Sequence, residues 1–204
     1  MKLEQIQESF SQALDSAKWT IENITAANGR GVMQPPQYGQ CNLKSPTTLD
    51  ASNSSLSAKF TATTLPPGVQ ALVAQMELSV EGVNDPNRFG LEKVHIQIYS
   101  APDQSGEKIS LGHNDWNAPA PTYVSLPYNR TQHAYVRMRF AGTLVYLDTS
   151  PDGKVWTSRG SIAHRLNNMN VKANVNYFHG EQQPAYVDDI NIVPATGAFF
   201  QLFG

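Results

Sequence analysis

The sequence predicts an all-β protein whose strands form two antiparallel sheets packed as a sandwich. Short segments of alternating apolar and polar residues recur along the chain, and turn residues separate them at intervals of about 8 to 12 residues. The most regular segment, residues 135–159, predicts three strands joined by two turns. No segment has the apolar spacing of a long amphipathic helix. These observations together favour a single β-sandwich.

Residue types specify both turns within residues 135–159. Residues 141–142 are Ala-Gly and end the first strand, and residues 150–153 read Ser-Pro-Asp-Gly, an order that suits a β-turn. Before the first turn, two sets of residues alternate: Ala134, Val136, Met138 and Phe140 with Tyr135, Arg137 and Arg139. This period of two predicts one buried face and one outward face that carries two arginines. We expect the Trp156 ring to fold back over the second turn and be buried between the sheets.

The N-terminal part of the chain gives less regular patterns. In residues 3–14 the apolar side chains fit either a helix or a short strand followed by a turn, and the strand and turn are favoured. Residues 19–24 predict a strand, which the turn-forming residues 26–31 end. Residues 33–50 contain three prolines and predict a long connection with little sheet pairing.

Alternating patterns return further along the chain. Residues 56–62 and 69–80 predict two strands, and the Pro-Pro-Gly sequence at 66–68 predicts that they form a hairpin. Residues 101–121 lose the pattern and predict a loop region. Further strands are predicted at residues 94–99, around Tyr123, at residues 171–177 and at residues 186–193.

The composition favours one globular domain and excludes a nucleic-acid partner. The chain has 204 residues, of which 16% are charged, and a formal net charge of -2. Binding to a phosphate backbone requires a strongly basic surface, which this composition lacks. We predict one domain over residues 1–193 and a separate apolar tail over residues 194–204.

The single cysteine and the N-terminal sequence bear on the cellular compartment. Cys41 is the only cysteine, so neither an internal disulfide nor a thiolate metal cluster can form within one chain. We expect a free thiol in or near the core. The first residues lack the basic start and apolar run of a secretory signal, and no stretch approaches the roughly 18 apolar residues of a membrane span. A protein that is made in the cytoplasm and stays soluble is therefore expected.

Several motifs carry a resemblance to known proteins. They are residues 137–139, 144–146, 149–153, 155–156 and 186–190. Together they resemble the concanavalin A-like lectins and glucanases, which implies a jelly roll of two antiparallel sheets. More narrowly, TLVYLDTSPDGKVWTSRGS, residues 143–161, is similar to a module of minor tail proteins from phages that infect actinobacteria. Residues 14–24 agree with the opening strand of that module, so the resemblance implies a place in a phage tail.

The chain does not match the catalytic residues of the glucanases. The resemblance implies a strand with two glutamates and an aspartate at alternate positions, and no strand here has them. Glu77 and Glu81 lie on an otherwise apolar strand, and the adjacent Asp188 and Asp189 are expected to face opposite sides of the sheet. These two aspartates are candidate calcium ligands, although calcium needs several converging oxygens. The five histidines lack zinc spacing. We predict that the protein is not an enzyme and needs no cofactor.

One aromatic loop is the predicted ligand site. Sugar binding requires an aromatic ring beside amide and carboxylate groups. The candidate glycan-binding residues are Asn114, Asp115, Trp116 and Asn117, with Tyr177 and His179 at a strand end as a second group. The alternative is that Trp116 only packs locally.

The C-terminal tail is apolar and uncharged. It ends in residues 198–204, which would lower solubility if they were left in water. The tail either folds back on its own domain or docks on another subunit. The residues that would dock are Phe199, Phe200, Leu202 and Phe203.

We interpret the chain as a non-enzymatic phage virion component, a minor tail protein with a lectin-like jelly roll. Its role would be structural or the binding of a host glycan. The expected partners are other virion subunits, further copies of the chain and a cell-surface glycan, and the expected location is the tail of a virion assembled in the host cytoplasm. The alternatives are a free carbohydrate-binding module and a capsid decoration protein.

Overall fold

β-strands make up all the regular structure of the described residues. A computed structural model describes residues 6–36, 39–45, 49–50, 53–61, 75–82, 93–100, 106–114, 122–164, 166, 170–178 and 183–193. Within this part of the chain the strands pair antiparallel and no helix is present. A helix with the length and apolar character of a membrane span is accordingly not found there.

The first of two sheets, sheet A, contains both ends of the described chain. In spatial order it consists of β14 (Thr157–Ala163), β13 (Leu144–Ser150), β12 (Tyr135–Ala141), β7 (Ser55–Thr61), β16 (Ala185–Val193), β4 (Arg30–Met33) and β3 (Ile24–Ala27). A further strand, β1 (Ile6–Glu8), pairs with β16 beyond the end of β4.

Sheet B holds the remaining strands. In spatial order it consists of β11 (Thr122–Pro127), β10 (Glu107–Asn114), β9 (Lys93–Ser100), β8 (Gln75–Gly82), β15 (Asn170–Phe178), β5 (Gln40–Lys44) and β2 (Thr20–Glu22). The short β6 (Leu49–Asp50) pairs with the start of β15.

Alternation along the strands places the apolar side chains between the sheets. In β12, Val136 and Met138 are fully buried, and Ile96 and Leu111 of sheet B belong to the same buried cluster. Each such side chain contributes about 1.5 to 3 kcal/mol by its burial. The thiol of Cys41 is free and buried, as expected, and burial together with the charge of Glu22 raises its pKa to about 12.

The segment that predicted an antiparallel meander forms one. β12 pairs with β13 and β13 with β14. Gly142 and Gly153, the glycines of the two turns, have φ angles of 59° and 74°. Glycine adopts such angles at a lower cost than residues with a Cβ, so the turn chemistry favours this part of sheet A.

The Trp156 ring does not lie between the sheets, and its predicted burial is wrong. It is half-buried on the outer face of sheet A, where the Arg137 guanidinium carbon lies 4.2 Å from the ring centre. The length of the turn before β14 explains why Trp156 lies outside the core. Asp152 accepts hydrogen bonds from the backbone N–H groups of Lys154 and Val155, which lengthens the turn, so β14 begins only after Trp156.

Two segments predicted to be irregular contain strands. β5 lies within residues 33–50, between β15 and β2, and its Cys41 and Leu43 are fully buried. β10 lies within residues 101–121 and pairs with both β9 and β11. Prolines and glycines next to these strands obscured an alternation that spans only a few residues.

The predicted hairpin between residues 56–62 and 69–80 is also wrong. β7 belongs to sheet A and β8 to sheet B, so the two strands lie in different layers. The strand predicted over residues 19–24 likewise divides between the sheets, because Asn23 has a φ of 53° and separates β2 from β3. At the N-terminus, β1 followed by a turn at Phe10, with a φ of 54°, confirms the strand-and-turn interpretation.

Candidate functional site

Polar side chains cover the central strands of sheet B on the face that points away from the core. The residues of this polar face are Glu77, Ser79, Lys93, His95, Gln97, Asn174 and Asn176. Cross-strand register aligns them, because Ser79 pairs with Asn174 on one side and His95 on the other. Neighbouring positions in register lie about 4.5 to 5.5 Å apart, so the three side chains form one row across the strands.

Several of these polar groups are buried without being satisfied. Ser79 is 0% exposed, Asn174 6% and His95 7%. Among the described residues, Ser79 Oγ, His95 Nδ1, Asn174 Oδ1 and Asn176 Oδ1 have no hydrogen-bond partner. An unsatisfied buried polar group destabilises a fold by about 1 to 3 kcal/mol. Their alignment on three adjacent strands makes a row of atoms that bound water or a polar ligand would satisfy.

Glu77 organises one end of the polar face. Its carboxylate forms an ion pair with Lys93 and accepts hydrogen bonds from Gln97 Nε2 at 2.9 Å and Asn176 Nδ2 at 3.0 Å. Burial by itself raises the pKa of Glu77, but the Lys93 charge and the hydrogen bonds outweigh burial and lower the pKa below its usual value. Glu77 is therefore ionised at neutral pH and holds the two amides in fixed orientations.

His95 is held in the neutral state at the centre of the face. Burial is the main cause that lowers its pKa to about 4, opposed by Glu77 and assisted by Lys93 and His113. A neutral imidazole has one N–H donor and one nitrogen acceptor, so it can exchange hydrogen bonds with a hydroxyl group. The ring lies over Gly112, where an added Cβ would be 2.5 Å from His95 Nε2. Glycine on β10 thus makes room for this histidine.

The predicted glycan loop begins at the edge of the same face. Asn114 is the last residue of β10, is exposed, and pairs in register with Lys93 of the polar face. Asp115, Trp116 and Asn117 lie outside the described residues, so their role in binding stays a prediction.

Tyr177 is placed in the core and not at the surface. It is 1% exposed, and its hydroxyl donates a hydrogen bond of 2.7 Å to the carbonyl oxygen of Gln183. Because β15 alternates, Tyr177 points inward while Asn174 and Asn176 point outward. We therefore do not retain Tyr177 as a ligand platform. His179 lies outside the described residues, as do the predicted docking residues of the tail, Phe199, Phe200, Leu202 and Phe203.

Asp188 and Asp189 do not face opposite sides of the sheet, contrary to the prediction. The register of β16 shifts between Asp188 and Asn191, and Asp189 has a φ of 50°. Asp188 Oδ2 lies 3.9 Å from Lys59 Nζ, and Asp189 Oδ2 accepts a 3.1 Å hydrogen bond from the Tyr135 hydroxyl. Lys59 Nζ is in turn 5.6 Å from the centre of the Tyr135 ring, so both carboxylates are on the outer face of sheet A. A bulge of this kind places two consecutive side chains on one side.

The same two aspartates do not form a calcium site with other described residues. Burial raises the pKa of Asp188, while Arg30 and Lys59 oppose that shift through ion pairs at 3.7 and 3.9 Å. No group of three His, Cys, Asp or Glu side chains able to hold a metal ion occurs in the described part of the chain. The side chains that surround Asp188 are cationic and compete with a metal ion for its carboxylate.

Sequence reasoning missed the polar face, although a signal was available. Residues 173–177 read Ala-Asn-Val-Asn-Tyr, in which two asparagines occupy alternate positions of a strand. Asparagine is depleted in strands because its amide competes for backbone hydrogen bonds. Paired asparagines on one face of a central strand therefore indicate a site and not ordinary surface.

Sequence comparison finds no match, whereas comparison of the fold finds similar solved structures. No family model and no curated protein matches the sequence. The VIP36 exoplasmic/lumenal domain in its Ca2+/Man3GlcNAc-bound form has a TM-score of 0.68 at 9% identity, covering 92% of this chain and 88% of that chain. The Emp46p carbohydrate recognition domain has a TM-score of 0.69 at 11% identity, covering 91% and 94%.

A Bacteroides ovatus GH16 protein has a similar fold. The mixed linkage glucan GH16 protein of Bacteroides ovatus, in complex with its G4G4G3G product, has a TM-score of 0.62 at 11% identity, covering 92% of this chain and 99% of that chain. These similarities confirm that the chain is a concanavalin A-like jelly roll of two antiparallel sheets. At this level of identity they establish the fold alone.

Proposed function

We propose that this domain binds a carbohydrate on the polar face of sheet B and does not hydrolyse it. The observation that carries the proposal is the row of buried, unsatisfied polar atoms on Ser79, His95 and Asn174. Sugar hydroxyls donate and accept hydrogen bonds and carry no charge. The charges of Glu77 and Lys93 neutralise one another, so a neutral ligand suits the face.

The proteins with the same fold support this choice of ligand. Two VIP36 structures are bound to Man3GlcNAc and Man2, and the Emp46p structure is that of a carbohydrate recognition domain. The Bacteroides ovatus protein is in complex with a glucan product. Because the fold alone does not determine function, the unsatisfied atoms of this chain remain the stronger support.

The residue types on the face favour binding over hydrolysis. Glycoside hydrolysis requires two carboxyl groups, one of them protonated to act as the acid. The outward positions of β9 are Lys93, His95, Gln97 and Tyr99, none of which is a carboxylate. On β8 the alternate position between Glu77 and Glu81 is Ser79, where the glucanase strand has its third carboxylate. Glu77 is unsuited to the role of acid, since its lowered pKa keeps it ionised.

A glycan array followed by calorimetry on the best ligand tests the proposal. Ser79→Ala and Asn174→Ala are each expected to weaken binding about tenfold, as the loss of one hydrogen bond implies. Ser161→Ala, at an exposed position of β14, serves as the control and is expected to bind like the wild type. Unchanged affinity in both face variants, or release of reducing sugar from any bound glucan, would contradict the proposal.

We further propose that the protein is a minor tail component of a phage virion, assembled in the host cytoplasm. The similarity of residues 143–161 to tail modules supports this placement. The apolar tail, residues 194–204, would dock on other virion subunits or on further copies of the chain. Immunogold labelling of purified particles is expected to mark the tail. Label on the head would instead favour a capsid decoration protein, and particles without label would favour a free carbohydrate-binding module.

A further inference from the structure

A cleft of about 350 Å³ lies on the outer face of sheet A, on the opposite side of the sandwich from the polar face. We call it the sheet A cleft. Strands β1, β7, β12 and β16 and the turn after β13 contribute to its lining, which includes Glu8, Tyr135, Gly153, Trp156, Asp189 and Asn191. This volume accommodates a small molecule or one long side chain.

Two aromatic rings line the cleft, and both already contact cations of the protein. The Arg137 guanidinium carbon is 4.2 Å from the Trp156 ring centre, and Lys59 Nζ is 5.6 Å from the Tyr135 ring centre. Gly153 lets the Tyr135 ring lie against the turn, because a Cβ there would be 3.0 Å from the ring. The faces of such rings carry negative electrostatic potential and attract cations.

Two carboxylates line the same cleft. Glu8 Oε1 accepts a hydrogen bond from the Phe10 backbone N–H at 2.8 Å, and Asp189 Oδ2 accepts one from the Tyr135 hydroxyl at 3.1 Å. In the described part of the chain neither carboxylate has a cationic partner, and the described lining contains no basic side chain. The cleft thus holds two negative charges that the fold does not neutralise.

The Tyr135 phenol is also in a negative environment. Burial is the largest of the effects that raise the Tyr135 pKa. The hydrogen bond to Asp189 and the charges of Asp189, Asp188 and Asp152 raise it further. An anionic ligand would be repelled, and a neutral sugar would leave the two lining carboxylates without a partner.

We propose that the sheet A cleft binds an alkylammonium group, carried by a lysine side chain of a partner polypeptide or by a free amine. The two rings contact the alkyl chain and the positive charge, and Glu8 and Asp189 accept its N–H groups. The site is on the other sheet from the proposed glycan face. Its occupancy therefore does not depend on carbohydrate binding.

NMR titration of the full chain tests this site, with the indole N–H signal of Trp156, assigned through Trp156→Phe, as the readout. The probes are butylammonium for a free amine, N-acetyl-lysine methylamide for a lysine side chain, and N-acetyl-norleucine methylamide as the neutral match. Both ammonium probes are expected to shift the signal, and the neutral probe is not. Tighter binding of the lysine derivative would identify a polypeptide partner, and tighter binding of butylammonium a free amine.

Conservative variants remove the negative charge of each carboxylate and keep its hydrogen bond within the protein. Asp189→Asn keeps an acceptor for Tyr135 and suits the positive φ, and Glu8→Gln keeps the acceptor for the Phe10 N–H. Each variant is expected to weaken the binding of both ammonium probes about tenfold. Glu22→Gln, which removes one negative charge from sheet B, is expected to leave their binding unchanged. Equal binding of the neutral probe, wild-type affinity in both cleft variants, or no shift of Trp156 would overturn the proposal.

Discussion

The guanidinium carbon of Arg137 lies 4.2 Å from the centre of the Trp156 ring, and Arg139 has the same distance to the ring of Tyr146. Both arginines donate to Oδ2 of Asp148 at 2.8 Å, and Asp148 is 1% exposed. The outward arginines of β12 therefore form a packed ionic cluster with two aromatic rings. They stabilise the outer face of sheet A and do not form a basic surface available to an anion.

Asp148→Asn is expected to lower the free energy of unfolding by about 2 to 3 kcal/mol, because it leaves two arginines without their shared counter-ion. The loss is smaller than for a fully buried pair, since the Arg137 and Arg139 side chains are 24% and 37% exposed. Urea denaturation at pH 7 measures it. Asp152→Asn, at an exposed position of the neighbouring turn, is the control and should change stability little, because asparagine keeps Oδ1 as the acceptor for the Lys154 and Val155 N–H groups.

The same variant makes a prediction about pH. Burial alone raises the pKa of Asp148, but hydrogen bonds and charges from Arg139 and Arg137 outweigh it and lower the pKa. A carboxylate whose pKa is lower in the folded chain than in the unfolded chain stabilises the fold at pH values above its pKa in the unfolded chain. This stabilisation is lost as the pH falls through its pKa in the folded chain. The difference between wild type and Asp148→Asn should therefore shrink below about pH 4. A difference that is constant down to pH 3 would contradict this assignment.

The location of Trp156 predicts that it contributes less to stability than a tryptophan of the core. Trp156→Ala should lower the free energy of unfolding by about 1 to 2 kcal/mol, and Trp19→Ala, at a residue 2% exposed, by about 3 to 5 kcal/mol. Chemical denaturation of the two variants under identical conditions measures the difference. Had Trp156 been buried between the sheets, the two losses would be similar, so equal losses would count against its surface position.

The contrast between these tryptophans illustrates what the sequence predicts and what it does not. Alternation and the Ser-Pro-Asp-Gly turn are local features, and they predicted the 135–159 meander and the all-β class. The sheet to which a strand belongs depends on distant partners, so the separation of β7 from β8 was not predictable from their shared turn signal.

The candidate site was less predictable than the fold for a related reason. Ser79, His95 and Asn174 are far apart in sequence and meet only through the register of β8, β9 and β15. Each residue alone is an ordinary outward strand residue. Apart from the alternating asparagines of β15, their joint burial without hydrogen-bond partners distinguishes them, and burial is a property of the assembled sheet.

His95 is expected to make stability depend on pH between about 6.5 and 4. Its folded pKa of about 4 is below its ordinary 6.5, so the unfolded chain binds the additional proton in this range. Stability is therefore lost as the pH falls, and the full loss is about 3 kcal/mol. Urea denaturation of wild type and His95→Gln at pH 7, 5.5 and 4.5 measures the contribution.

The comparison with His95→Gln isolates this one group. Burial also lowers the pKa of His133 and His164. The stability of the variant is therefore also expected to fall with the pH, but less steeply. Wild type should lose more stability than the variant over the same range. Parallel curves for the two proteins would show that His95 does not remain neutral in the folded state.

Gly112 and His95 are expected to show strong energetic coupling. An alanine Cβ at position 112 would be 2.5 Å from His95 Nε2 and 2.9 Å from its Cε1, so the ring must move. Gly112→Ala should therefore lower the free energy of unfolding by about 1 to 3 kcal/mol in the wild-type background. In the His95→Ala background the steric conflict is absent, and the same substitution should be neutral or slightly stabilising, because alanine restricts the unfolded chain more than glycine does.

A double-mutant cycle of urea denaturation measurements gives this coupling directly. Gly112→Ala in the Gln97→Ala background is the matched control, since Gln97 also points outward from β9 but the three atoms nearest to an added Cβ at position 112 all belong to His95. In the Gln97→Ala background, Gly112→Ala should lower the free energy of unfolding by the same amount as in the wild type. If Gly112→Ala has the same effect in all three backgrounds, the imidazole does not lie over β10. The glycine would then not be what allows a neutral histidine to occupy the centre of the polar face.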